Sequence, residues 1–485
     1  MRLSLATLDR VRSGVRRPKF DPRALGIGIA HLGCGHFLRG HQAYITQHAI
    51  DAGSAGETQW GFAAASLVMP RVRDALAPQD GLFSVLIRDG ETTTPEIVGT
   101  LREIIFAPEN PAALIARLAE APIITLTITE KGYCIDPAST RLNPEHPDIR
   151  HDLGAKVPKS AIGWLVAGLR ERRARGTARP TIISCDNLPT NSRILRQAAI
   201  DFCGLRGDHA LADWIQRISF PCTMVDRMVL ATTTPDLADA EALLGMEDQA
   251  AVVCEPFLQW VIEHFDGPRP QWEAGGAEFV ADVAPWEGAK LRLLNASHSA
   301  MAYLGGLAGL TTITETAADP DFAPLIRRFI LHENGPTIAK GGPDPADYAN
   351  TLFDRRWRNR GIRHLLKPIA GEGSRRLPQR FIAPLRENTL AGRPAPCTAL
   401  ALAAWMQYAT GRDLHGEPIE VNDPLAAVTT GFAGAAPDRL VDLYLAREDI
   451  FGPDHPGRAA LQQAMADLRR LGAREAARAA ATRAP

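Results

Sequence analysis

Short, continuously apolar runs alternate with helical stretches through the first part of the chain, and the alternation stops near residue 284. Residues 26–33 read GIGIAHLG, an apolar run closed by glycine, and helical character follows over 37–52. Further runs cover 60–67, 122–129 (PIITLTIT) and 181–184, the last after a helical, arginine-rich stretch at 162–175. Runs that are apolar at nearly every position, not at every second one, suit strands covered on both faces. Such strands alternating with helices predict an α/β domain built on a parallel sheet. Beyond it, helical patterns follow one another at 287–304, 322–332, 346–359, 398–410, 439–447 and 458–480. In the last, Leu461, Met465 and Leu468 stand at i, i+4 and i+7, one apolar stripe to bury. The pattern predicts two domains, 1–284 with the sheet and 285–485 mainly α-helical.

Size and charge narrow the partners. A chain of 485 residues exceeds one ordinary core, and 45% hydrophobic with 22% charged residues is a globular composition. Lys plus Arg (54) and Asp plus Glu (55) leave a formal charge of −1. No global field advertises nucleic acid or an anionic membrane, so a small-molecule partner fits better. The 7 cysteines form no CxxC pair and are odd in number, which points to a reducing compartment, with neither disulfide framework nor structural zinc. The N-terminus MRLSLATLDRVRSGVRRP lacks a signal-peptide core, and no apolar run nears the ~20 residues of a membrane span. The expectation is a cytoplasmic protein without metal or membrane, a monomer or small homo-oligomer.

Several residues can carry chemistry. Gly33-Cys34-Gly35 lies between a strand and a helix, where glycines allow a tight turn and close backbone approach to a pyrophosphate. Leu38 occupies the third glycine position of GxGxxG, so an ordinary glycine turn reads the same way. The second run ends in Ser66-Leu67 without the acid that clasps an adenosine ribose, and Arg71 and Arg73 follow; NAD and NADP both stay open. At 100° per residue, Lys290, Asn295 and His298 fall at roughly 0°, 140° and 80° around one helix, a shared broad face. A lysine in the apolar company of Leu291, Leu293, Leu294 and Met301 holds its proton less tightly and can act as a base, with an amide beside it for an alkoxide. A surface lysine beside helix-packing Asn and His fits the same spacing. Glu287, one turn earlier, is a surface partner or a proton relay. Asp186-Asn187 follow the fourth run, where ligands of α/β sheets gather, and Asp-Asn-Leu-Pro is also good turn sequence. Asp226-Arg227 is an internal pair or a site element. Arg375, Arg376 and Arg380 form a basic cluster suited to a carboxylate.

Taken together, IAHLGCGHFLRGHQ, TLTITEKGYC, SCDNLPTNSR, FPCTMVDRM, EPFLQWVIE and KLRLLNASHSAMAYLG resemble, in order and almost end to end, the polyol-specific long-chain dehydrogenase/reductase (mannitol dehydrogenase) family. The resemblance implies a Rossmann-type NAD(P)-binding domain, a helical C-terminal domain for substrate, and metal-free hydride transfer. By it, Lys290 corresponds to the general base, Asn187 and Asn295 to the oxyanion-holding amides, His298 to a substrate-orienting residue, and Glu287 to the acid on the proton path. Asp226, Arg376, Arg380 and Lys131 fall on the substrate side, and Gly33, Gly35, Phe37, Arg39, Ser66 and Glu130 on the cofactor side. EKGYCID and residues 149–176 are similar to the fructuronate reductase branch, which implies a sugar acid as substrate. Arg376 in place of the family's lysine, and His36 and Leu38 in the glycine turn, depart from it and keep mannitol or another polyol as the alternative. A nucleotide-binding regulator without turnover is the alternative of another class; it has no need of a base.

Overall fold

The computed structural model describes residues 1–53, 57–136, 139–453 and 457–483. The chain divides into two compact units, Met1–Val283 and Ala284–Pro485.

The centre of the first unit is a five-stranded sheet of β1 (Ile27–Leu32), β2 (Gly61–Ser66), β5 (Leu101–Phe106), β6 (Ile123–Leu126) and β7 (Thr181–Ser184) in the order β5-β2-β1-β6-β7. Every neighbouring pair is parallel. Buried positions run without interruption through β2, β6 and β7, as strands covered on both faces require. The chain leaves β1 for β2 on one side and later returns for β6 on the other, so the switch in strand order lies at the carboxyl end of β1. Crevices of open α/β sheets form there.

Two smaller sheets complete the unit. β3 (Phe83–Asp89), β4 (Thr92–Val98), β9 (Val229–Leu230) and β10 (Val252–Cys254) pair in the order β4-β3-β10-β9, and β8 (Thr223–Asp226), β11 (Gln259–Glu263) and β12 (Ala277–Val280) in the order β12-β11-β8. The helical stretch expected over 37–52 is two helices, α1 (His36–Gly40) and α2 (Gln42–Ala52). They break at His41 (φ −131°, ψ −85°), whose Nε2 lies 2.9 Å from the Gln259 carbonyl. The break brings Gly40 against β9: a Cβ there would sit 2.9 Å from Val229 Cγ2.

The second unit is helical. Its helix Pro396–Ala409 is buried along its whole length and packs against the helices Ala296–Leu307 and Arg458–Thr482. Leu461, Met465 and Leu468 are fully buried, each worth roughly 1.5–3 kcal/mol. The last helix bends at Gly472 (φ 78°), and it continues to Thr482. No helix among the described residues is long and apolar enough to cross a membrane.

Among the described residues of this unit, four helices contain a π-helical turn, at Lys290–Asn295, Phe329–Asn334, Leu352–Arg356 and Pro378–Ile382. A π-turn closes i→i+5 bonds, widens the helix and frees carbonyls from the α-pattern. Fully buried Asn334 serves two of these: its Nδ2 donates to the Arg292 carbonyl at 2.6 Å and to the Arg380 carbonyl at 3.4 Å.

Candidate active site

At the carboxyl end of β1 the glycine turn answers two different demands. Gly33 adopts φ 102°, and a Cβ there would meet the Thr127 carbonyl oxygen at 2.0 Å, so packing of the turn on the end of β6 excludes any side chain. Gly35 is extended (φ −99°, ψ −171°) and needs no left-handed freedom. A Cβ on it would meet only the Gly33 carbonyl, at 3.7 Å, so glycine leaves open space over the turn. That is the feature a pyrophosphate pressed against the backbone requires. Buried Arg39 supports the turn from beneath: its Nε donates to the Gly35 carbonyl at 3.2 Å and its Nη1 to Ala250 O. Arg39 is therefore bound to the backbone of the turn and of Ala250. Phe37 stacks on His41 at 4.8 Å, and Ser66 at the end of β2 turns its hydroxyl onto the Met69 carbonyl at 2.5 Å.

The next two strand ends are tied by one carboxylate. Buried Asp186, after β7, accepts the N–H groups of Ile128 (3.0 Å) and Thr129 (2.8 Å) and the Tyr133 hydroxyl (2.9 Å). Burial raises its pKa, against the pull of those donors. The ties hold Thr129 at φ 63°, a conformation unfavourable for a β-branched residue, and set the short helix Thr129–Gly132 that carries Glu130 and Lys131. Both of those side chains are exposed, as is Asn187 beside Asp186. Asp226 ends β8 and is buried. Arg227 is spent on the carbonyls of Glu255 (3.0 Å) and Gly40 (2.6 Å) and lies 4.6 Å over the Tyr44 ring, a structural role. His31, which the sequence did not single out, laces β1 to β6 through Thr125 and Thr127 at 2.7 and 2.9 Å; burial pulls it down to about 3, so it is a neutral core histidine.

Cys134, His146 and Asp148 offer ligand atoms within 4.8 Å of one another, a juxtaposition that sequence spacing hides. The His146 Nδ1 already accepts the Asp148 N–H at 3.3 Å and caps the helix Pro147–Gly154. A neutral imidazole accepting at Nδ1 keeps its proton on Nε2 and has no lone pair left for a metal. His146 is thus a helix cap. All seven cysteines are free and buried.

In the second unit Lys290 opens a π-turn that Asn295 closes. An α-helical count sets these residues roughly 140° apart; the π-turn corrects this, because its i→i+5 closure stacks residue 295 one turn above residue 290. Glu287 precedes them in the helix Ala284–Ala289, and Glu287, Lys290 and Asn295 are half-buried. His298 sits one turn on, its Nε2 2.9 Å from the Trp357 indole nitrogen and its ring edge-on to His364 at 4.7 Å. Burial, then His364, Arg356 and Arg380, hold the His298 pKa well below that of a free histidine.

Among the three arginines of the basic cluster the structure separates roles. Arg376 Nη2 pairs with Glu372 at 3.0 Å and its Nη1 bonds the Gly371 carbonyl at 3.1 Å; Arg375 is exposed, 3.9 Å from the same Glu372. Arg376, one of the candidate carboxylate readers, thus already has an acidic partner. Arg380 donates from Nη1 to Ser299 Oγ at 2.8 Å and to the Asn295 carbonyl at 3.4 Å, beside the Lys290–Asn295 turn. Its buried Nε has no partner, and no carboxylate among the described residues pairs with it. Burial, then Arg376, pulls Arg380 down to about 10. Trp357, His364, Ser299 and Asn334 escaped the sequence reading; they reach the site from helices and loops whose order in the chain gives no hint of proximity.

Residues 27–274 match the mannitol dehydrogenase Rossmann domain and residues 282–471 the mannitol dehydrogenase C-terminal domain. The chain is 39% identical to D-mannonate oxidoreductase of Escherichia coli, over 95% of this chain and 97% of that protein. It is 34% identical to mannitol 2-dehydrogenase of Pyricularia oryzae, over 96% and 95%. The solved Pseudomonas fluorescens mannitol 2-dehydrogenase, a ternary complex with NAD and D-mannitol, superposes with a TM-score of 0.82 at 35% identity, covering 99% of each chain.

Proposed function

The chain belongs to the mannitol dehydrogenase family of oxidoreductases, and within it we propose an NAD-dependent enzyme that interconverts D-fructuronate and D-mannonate. The reaction is D-fructuronate + NADH + H⁺ ⇌ D-mannonate + NAD⁺. The nicotinamide, when bound, supplies or accepts the hydride. The open face of the Gly33–Gly35 turn at the β1 switch point suits its pyrophosphate, and the similarity to an enzyme solved with NAD supports that cofactor.

The chain's own residues handle the proton and the oxygen. In the oxidative direction Lys290 takes the proton of the secondary hydroxyl, and in reduction it returns one to the carbonyl oxygen. Asn295 donates its amide N–H to the oxygen as it becomes an alkoxide. Glu287 passes protons between Lys290 and water, and Asp226 holds substrate hydroxyls.

The observation that carries the substrate class is Arg380. A partly buried guanidinium with no carboxylate partner is costly unless a ligand supplies the anion. A hexuronate differs from a ketohexose by that anion, and arginine's fork fits a carboxylate with two parallel bonds. A second reading, mannitol and fructose, rests on the similarity to mannitol 2-dehydrogenases and leaves Arg380 unpaired. A regulator without turnover leaves the Lys290, Asn295 and His298 set without purpose. The test is a kcat/KM panel of fructuronate, tagaturonate, fructose and their reduced partners with NADH/NAD and NADPH/NADP. Preference for fructuronate with NADH is expected; preference for fructose or mannitol replaces the acid with the polyol, and no oxidation of either cofactor returns the regulator.

A further inference from the structure

His298 stands out because the direction of one of its hydrogen bonds is fixed by chemistry. Its Nε2 lies 2.9 Å from the indole Nε1 of Trp357. An indole nitrogen donates and cannot accept, so the imidazole nitrogen facing it must present a lone pair. A neutral imidazole carries one N–H. With Nε2 as acceptor, that hydrogen is on Nδ1. A serine, a glutamine or a water in Trp357's place could face either form of the ring by turning round; a tryptophan admits only one.

The surroundings hold this arrangement. Trp357 is 4% exposed and its indole is braced by Phe353, ring centroids 4.8 Å apart at 78°. His364 closes edge-on over the imidazole at 4.7 Å and 89°. An imidazolium would present N–H to N–H against Trp357, in reach of Arg356 and Arg380, and so both the bond and the neighbouring charges oppose it. Arg380, from the Pro378–Ile382 turn, is hydrogen-bonded to Ser299 and the Asn295 carbonyl on the stretch of helix that carries His298.

We propose that Trp357 is a positioning residue that locks His298 in its Nδ1–H form, so that His298 meets the substrate as a hydrogen-bond donor and takes no proton during the reaction. The donor half rests on the reading given above that His298 faces substrate; the tautomer half does not. The division of labour is then unambiguous: Lys290 moves the proton, and His298 offers a fixed N–H to an oxygen lone pair of the ketose or alcohol. Wrong tautomers cannot make that bond, whatever the pH.

Two experiments test it separately. Ring-¹⁵N-labelled histidine in the full-length enzyme, without substrate, reports the tautomer by NMR, with the His298 signals assigned by their loss in His298→Asn. Expected is an Nε2 resonance of an unprotonated nitrogen from pH 6 to 9, replaced by a protonated or averaged one in Trp357→Phe, which keeps an aromatic ring and removes the donor. Protonated Nε2 in the wild type, or an unchanged spectrum in Trp357→Phe, overturns the proposal. Kinetics then asks which nitrogen serves the substrate. An asparagine amide reaches the place of Nδ1 and a glutamine amide that of Nε2, so His298→Asn should keep a kcat/KM well above that of His298→Gln. Trp357→Phe should lose roughly ten- to a hundredfold in kcat/KM with cofactor Kd unchanged, as for one misdirected hydrogen bond. The reverse order of the two His298 variants overturns the donor role. Wild-type turnover in both, with the NMR result as expected, removes His298 from the substrate site and leaves the tautomer lock standing alone.

Discussion

Replacing Arg380 by methionine should make the protein more stable and a far worse uronate enzyme. The arginine is pulled from its ordinary 12.5 to about 10, chiefly by burial, and at roughly 1.4 kcal/mol per pKa unit that is about 3 kcal/mol of unfavourable desolvation. A base whose folded pKa is depressed is charged in both states at pH 7, so this cost is present in full there. It is relieved only as pH rises through about 10. Methionine fills similar volume without charge, but leaves Ser299 Oγ and the Asn295 carbonyl without the Nη1 donor, at about 1 kcal/mol each. The net gain is about 1 kcal/mol, or a Tm rise of roughly 2–4 °C for a domain of this size. The catalytic effect has the opposite sign. A desolvated guanidinium–carboxylate pair lost from the substrate complex costs about 2–5 kcal/mol, so kcat/KM for fructuronate should fall about 30- to several-thousand-fold. Fructose, if turned over at all, should change only a few-fold. Differential scanning calorimetry of the free enzyme and steady-state assays with both substrates read the two effects. A Tm lowered by several degrees would make Arg380 a structural strut, and equal losses on charged and neutral substrates would remove it as carboxylate reader.

Lys290→Ala should cost several orders of magnitude in kcat while cofactor Kd, measured by NADH fluorescence titration, stays within a few-fold; near-normal turnover removes the lysine as proton carrier. Dialysis against EDTA followed by metal analysis should leave activity intact if, as proposed, Lys290 does the work a metal would do, and since His146 of the Cys134, His146 and Asp148 trio is engaged as a helix cap; loss restored by zinc refutes both statements. Asn334→Leu should lower stability by about 2–4 kcal/mol by leaving the Arg292 and Arg380 carbonyls short of a donor, and should depress kcat by loosening the π-turn of Lys290; an unchanged Tm in thermal melts would deny Asn334 that role.

Where a stretch of sequence meets one environment along its length, its structure was legible. β1, β6 and β7 are apolar at most positions and buried at nearly all because both faces of a parallel sheet are covered, and that separates them from their polar flanks. β3 and β4 went unread although Gly90-Glu91 is a two-residue hairpin loop in which Gly90 takes φ 59°; the alternation in β4 is blurred by Thr92-Thr93-Thr94 and by Pro95. β8 to β12 have only 2 to 5 residues each, too short for a period to show. Their pairing partners lie far away in the chain, so only the folded protein reveals them.

The site divides along the same line, between residue type and residue placement. Lysine, asparagine and histidine at 290, 295 and 298 are visible in any reading, but the relation between them is not, because helix arithmetic assumes one period. A π-turn inserts one residue per turn and converts a spacing of five from a poor fit into a stacked pair. Such a turn is not a property of KLRLLN alone. Two of its carbonyls take donors from outside: Asn334 on Arg292, and Arg380 on Asn295. Arg380 therefore does two things at once, bonding the backbone of the turn that carries Lys290, the proposed base, and holding an unpaired charge beside it. A substrate carboxylate bound there would be registered on the same helix turn as the proton acceptor, which links recognition of the acid to placement of Lys290. Lysine at 380 would keep the charge but offer one nitrogen in place of a planar fork, so it could not hold Ser299 and the Asn295 carbonyl with one nitrogen and present others to a carboxylate, as an arginine can.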